Sequence, residues 1–184
     1  MLSSYSLNSL LFIITVLLLI AALHIGPASI DLTGAIIDSW QGNNSLQALI
    51  FTEIRLPRSL LACTVGATLG MAGAALQGLL RNPLAGPGLV GVSNCAALGA
   101  IIALYFGLSS VVWFAVPLFG MIGAGVSVLL IFLLAGHNSS IMTLILAGVA
   151  VNAVASSLIS LALNFSPNPY AMSEMVYWLL LSIA

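Results

Sequence analysis

Several uninterrupted apolar runs in this chain reach the length a helix needs to cross a membrane, roughly 20 residues for a hydrocarbon core about 30 Å thick. A segment in lipid must satisfy its own main-chain N–H and C=O groups, and an α-helix does so within the segment. The chain is 61% hydrophobic and only 4% charged, far from the roughly 25% charged residues of a soluble domain. It is therefore expected to be an all-α integral membrane protein of about five transmembrane helices, with membrane lipid as its main solvent. Three arginines, no lysine and a net charge of −1 leave no basic patch for nucleic acid.

The spans are expected at about residues 7–25, 58–80, 89–106, 111–134 and 141–163, with a short apolar helix at about 171–181, so that residues 1–184 form one transmembrane domain. The first nine residues carry no Lys or Arg, so the apolar run Leu10 to Ile25 is read as a membrane helix and not a signal peptide. The polar stretch Asp31 to Gln47 lies outside the hydrocarbon and suits a short interfacial helix through Ile30, Ile36, Ile37 and Trp40. Arg81-Asn82-Pro83 stops the second span, because proline disfavours helical geometry in the residue before it. Pro117 is expected to kink the fourth span.

Two stripes are legible on these helices. Ala62, Gly66, Gly70, Ala74 and Gly78 recur every four residues on the second span, the small-xxx-small pattern that lets helix backbones approach closely, and predict a helix packed inside a bundle. Gly99, Ala103 and Gly107 give the third span a shorter version. On the fifth span Gly148, Asn152, Ser156, Ser160 and Asn164 form a polar line, which faces either a water-filled path or hydrogen-bonding neighbours.

The chain has no GxxxxGK[ST] phosphate loop, no HExxH helix and no nucleophile placed beside a base in a known hydrolytic pattern, so it is not expected to be an enzyme or to bind a cofactor. Cys63 and Cys95 match no metal spacing and read as small buried thiols; His24 and Glu174 read as interfacial residues without a partner at ligand spacing, so no metal site is expected. A secondary transporter would favour an ionisable residue inside a span, and the spans lack carboxylates. Taken alone, Arg55 and Arg58 are arginines at a span end, which a positive-inside count puts in the cytoplasm.

The segment RLPRSLLACTVGATLGMAGAALQGLLRNPLAGPGLVGVSNCAALGA, from Arg55 onward, resembles the FecCD-type permeases that import iron-siderophores, haem and vitamin B12. The likeness rests on RLPR, the VGA…G…GA.LQ helix, the RNPLA turn and the P.L.GVS segment, in that order, and continues through LILAGVAVNA and the Tyr177-Trp178 pair. After Trp178, leucine stands at 181 where the family has glycine. The resemblance implies the N-terminal half of a permease of about ten helices, of the vitamin B12 importer type, in the cytoplasmic (inner) membrane of a bacterium. It implies import of an iron-siderophore or related metal chelate. Its implied partners are a second permease subunit, identical or related, a cytoplasmic ABC ATPase and an extracytoplasmic substrate-binding protein.

The same resemblance implies site roles. Arg55 and Arg58 would face outward and dock acidic residues of the binding protein, overriding the positive-inside count. Asn82 and Leu84, with Ser139 and Ser140 of the second loop, would form the cytoplasmic gate. Asn152, Ser156 and Ser160 would line the translocation path, the 171–181 helix would be periplasmic, and Gly66, Gly70, Ala74 and Gly78 would pack the second helix. Because such permeases are about twice this length, the alternative expectation is a truncated, non-transporting remnant or scaffold of a permease.

Overall fold

A computed structural model describes residues 4–26, 28–43, 45–84, 86–137 and 140–180, and every regular element among them is helical. Helix α1 is Ser4–His24, α2 Leu32–Gln41, α3 Leu46–Leu80, α4 Val92–Tyr105, α5 Ala115–Ala135, α6 Ile141–Asn164 and α7 Pro169–Leu180. Four of them, α1, α3, α5 and α6, are long and apolar enough to cross a membrane, and α4 is a shorter apolar helix. The described residues divide into two compact units, residues 4–68 and residues 69–180.

In the first unit, polar side chains define the helix ends. Asp31 caps α2, accepting from the N–H groups of Thr33 and Gly34, each at 3.2 Å, and from the Thr33 hydroxyl at 2.5 Å. Gly42, in the left-handed region at φ 72°, ends the helix. A short helix thus forms over the stretch expected to be interfacial, with Trp40 almost fully exposed on it. Ser45 caps α3 through the Ala48 N–H at 3.2 Å.

Helix α3 begins well before the expected residue 58. A π-helical stretch, Ile50–Arg55, joins the turn Leu46–Leu49 to the α-helix Leu56–Leu80. Pro57 explains it: proline lacks an N–H and its ring crowds the carbonyl four residues back. Widening the helix relieves that crowding, and the Leu56 N–H reaches back five residues to the Phe51 carbonyl.

The second unit is built on α4. The expected span 89–106 is cut back to Val92–Tyr105, 14 residues, or about 21 Å at 1.5 Å per residue. A 3-10 turn at Pro87–Val90 and a left-handed Gly91, φ 74°, hold the chain out of α-helix before Val92. A second 3-10 turn, Leu108–Ser110, delays α5 to Ala115. Pro117 therefore falls in the first turn of α5, where no intrahelical partner awaits its N–H, and the expected kink site is instead a helix start.

Helices α4 and α5 touch backbone to backbone. A Cβ at Gly99 would overlap the Phe119 carbonyl, and one at Gly123 the Cys95 carbonyl. One apolar cluster joins Cys95, Ile131, Ala147, Val151 and Ala155; another joins Ile101, Leu104 and Met175 of α7. The stripe expected to pack most tightly does the opposite. Ala62, Gly66, Gly70, Ala74 and Gly78 are all exposed, and a Cβ at Gly66, Gly70 or Gly78 would meet nothing within 4 Å. Small residues permit close approach but supply no attraction without a facing helix, and no described residue covers this stripe. Cys63 is likewise half-buried and not the buried thiol expected; Cys95 is buried.

Candidate functional site

A polar seam runs between α4 and α6. The Asn94 amide donates to the Ser156 hydroxyl at 2.9 Å, and that hydroxyl donates to the Asn152 carbonyl at 2.9 Å. Asn94, Asn152 and Ser156 are half-buried, so the seam is neither sealed in the core nor fully open. Toward the end of α6, Ser160 and Asn164 bond only to carbonyls of their own helix, those of Ser156 and Ser160. The line expected along α6 therefore divides: its first part makes an interhelical contact while staying half-buried, and its last part is exposed and bonded only within its own helix.

Glycine sets the spacing of this seam. Gly91 has φ 74° and lies against α6, where a Cβ would sit 2.9 Å from the Gly148 carbonyl oxygen and from the Asn152 Cβ. Any other residue would be strained in its backbone and crowded at once. Sequence reasoning took in Gly91 only as part of the P.L.GVS segment and did not single out Asn94; the signal for Asn94 was an amide on an otherwise apolar helix, which in a membrane demands a partner.

At the end of α3 the RNPLA turn has its own geometry. Arg81 adopts φ 47°, unusual for a side chain with a Cβ. The Asn82 N–H then donates to the Gln77 carbonyl at 3.2 Å, and the Asn82 side-chain oxygen accepts from the Leu84 N–H at 2.9 Å. This Asx turn projects Leu84, 84% exposed, away from the fold. Ser140 caps α6 by accepting from the Thr143 N–H at 3.2 Å. Ser139 lies outside the described residues, as does Leu181, the leucine that stands where the family has glycine.

The paired arginines separate. Arg58 is exposed, and no ion pair engages it among the described residues. Arg55 is only 7% exposed, and its guanidinium donates to the carbonyls of Leu23, His24 and Ala28. Burial thus divides the pair expected to dock together: the donors of Arg55 are engaged by main-chain oxygens, and Arg58 is exposed. Nearby, the Thr33 hydroxyl, joined by the main-chain N–H groups of Gly34 and Thr33, holds the Asp31 carboxyl below its usual value, against an opposing effect of desolvation.

Within residues 69–180 a cavity of about 450 Å³ is lined by Leu76, Pro87, Val92, Phe132 and Leu144 among others and is almost wholly apolar. It suits hydrocarbon, not a hydrated chelate, and excludes the seam residues Asn94, Asn152 and Ser156. No group of three His, Cys, Asp or Glu residues able to hold a metal occurs among the described residues.

The model of the FecCD transport family matches residues 13–184. The chain is 39% identical over 132 residues to vitamin B12 import system permease proteins BtuC, among them those of Salmonella typhi and Salmonella agona; the match covers 72% of this chain and 40% of each relative. A solved ABC transporter, assigned to the metal-chelate type and captured in an inward-facing conformation, aligns with TM-score 0.70 and 30% identity over 93% of this chain and 49% of its own. The chain thus spans less than half the length of the relatives it matches.

Proposed function

Because this chain belongs to the FecCD transport family, we propose that it forms the first half of the membrane-spanning permease of an ABC importer for an iron-siderophore or related metal chelate. The observation that carries the reading is the family match over residues 13–184, which takes in the long apolar helices together with the polar seam. The named relatives import vitamin B12, so cobalamin is the competing cargo.

In this reading Asn152, Ser156 and Ser160 line the path. Hydroxyls and amides offer water-like contacts to a bulky chelate without the strong binding that would hold it in transit. Asn82 and Leu84, with Ser140 and Ser139, form the cytoplasmic gate; the Asx turn supports this by making Leu84 a projecting apolar plug on a rigid turn. Arg58 meets a carboxylate of an extracytoplasmic binding protein, and the Pro169–Leu180 helix is periplasmic. ATP is hydrolysed on a separate cytoplasmic subunit, and a second permease subunit completes the path across the inner membrane.

The test is uptake by the permease carrying this chain, assembled with its ATPase and binding protein in lipid vesicles. ATP-dependent accumulation of a labelled ferric siderophore is the expected result. Accumulation of cobalamin alone would reassign the cargo, and failure to move either would remove the importer reading.

A further inference from the structure

The apolar cavity of about 450 Å³ lies among the later turns of α3 and the helices α4, α5 and α6, with Leu76, Val92, Phe132 and Leu144 in its walls. Phe132 is itself 63% exposed, so the cavity is a groove open on one side. A helix with its side chains fills roughly 500 Å³ per turn, from a diameter of about 10–12 Å and a pitch of about 5.4 Å. The groove therefore has room for one helical turn at most. A hydrocarbon chain is thinner and has no polar groups to satisfy, so it fits without that limit.

Charge marks one end of the groove. Leu79 and Leu80 line it, and Arg81 is the next residue, ending α3 at φ 47°. Arg81 is exposed, and no hydrogen bond or ion pair engages its side chain among the described residues. The other formal charge in residues 69–180 is Glu174 on α7. It belongs to the opposite end: its neighbour Met175 packs on Ile101 and Leu104, whereas the groove takes Val92 and Ser93 at the start of α4. From Val92 to Leu104 is about 18 Å along the helix at about 1.5 Å per residue. The groove thus ends beside an unpaired cation, far from the carboxylate of its own unit.

We propose that this groove is a binding site for an anionic phospholipid, with one acyl chain along Leu76, Val92 and Phe132 and the phosphate received by Arg81. A guanidinium matches phosphate oxygens with two parallel donors, and an arginine just past the end of a membrane helix stands at headgroup depth. A zwitterionic lipid has the same tails and phosphate but brings a cation to Arg81, so selectivity follows from the charge of the headgroup. The site requires that the chain lie in a membrane and is independent of the cargo.

The experiment uses the full permease complex in vesicles of equal parts phosphatidylcholine and phosphatidylglycerol. A trace of either lipid carries a photoreactive diazirine on one acyl chain, and the labelled peptides are identified by mass spectrometry. The phosphatidylglycerol probe should label the peptides holding Leu76, Val92 and Phe132, about fivefold more than the phosphatidylcholine probe, the size of one arginine's attraction to anionic lipid. Arg81→Gln should remove that preference, and Arg81→Lys, which keeps the charge, should retain most of it. Ala72→Phe places a ring in the groove, since Ala72 lines it, and should abolish labelling there by both probes; the two Arg81 variants decide the matter if this one does not assemble. Equal labelling of the groove by both probes, or a preference untouched in Arg81→Gln, would overturn the site. So would an unlabelled groove in the complete permease, which would mean that protein fills it.

Discussion

Side-chain caps close helix ends in residues 4–68 and in residues 69–180, where Ser140 caps α6, but different contacts hold each region together. In the first, helix ends are closed by side chains that reach the main chain: Asp31 and Ser45 at amino ends, Arg55 at a carboxyl end. In the second, α4 and α5 meet through glycines, with carbonyls of one helix lying where a Cβ of the other would be. The first suits chain that leaves the hydrocarbon, where charged and hydroxyl groups can be solvated when not engaged. The second suits chain within it, where helix contact depends on van der Waals packing because lipid offers no hydrophobic drive between helices.

The contrast breaks most readily at its glycines. Gly99→Ala or Gly123→Ala should destabilise the fold by about 1–3 kcal/mol, the usual range for forcing atoms into a filled site, measured by denaturation in mixed micelles. Gly66→Ala should cost nothing and can gain up to about 1 kcal/mol of helix propensity, since a Cβ there meets only open space. A comparable loss at Gly66 in the assembled permease would mean that its stripe is covered by chain beyond the described residues.

The polar seam offers a smaller effect. Asn94→Ala and Ser156→Ala should couple in a double-mutant cycle by about 0.6 kcal/mol, typical of hydrogen bonds between membrane helices. Additive losses would mean that the bond at 2.9 Å contributes nothing to stability.

The smallest effect belongs to the first unit and follows pH. The Asp31 carboxyl titrates below its usual value of about 3.9. Its contribution to the α2 cap is therefore present above that unfolded-state value and fades as pH falls through the lowered one. Amide exchange at Thr33 and Gly34 should speed up in that acid window and not above it. Asp31→Asn should largely remove this pH dependence while keeping an acceptor for the cap.

Much of this was legible beforehand, for reasons tied to particular residues. Apolar runs placed α1, α5 and α6 to within a few residues at most ends, because lipid leaves a chain little alternative to helix. The Asn82-Pro83 stop and the polar line at Asn152, Ser156 and Ser160 were readable because each depends on local chemistry or on one helical period. What could not be read depends on a second element. The identical-looking small residues at Gly66 and Gly99 differ only in whether a helix faces them. Arg55 and Arg58, three apart in a matching pair, differ because the end of α1 lies beside one of them. The π-helical turn was missed because the span was read as starting at residue 58, when the helix widens around Pro57 and extends back to Leu46.

The most direct test of the account is thiol accessibility along α6 in the assembled permease, with Cys63 and Cys95 first replaced by serine and alanine. Single cysteines at Asn152, Ser156 and Ser160 should react with a membrane-impermeant reagent, Ser160 fastest, while those at Val154, Leu158 and Leu161, exposed apolar positions of the same helix, should stay unmodified. Reaction at the apolar positions with silence along the polar line would contradict the claim that this line is the wall of a transport path.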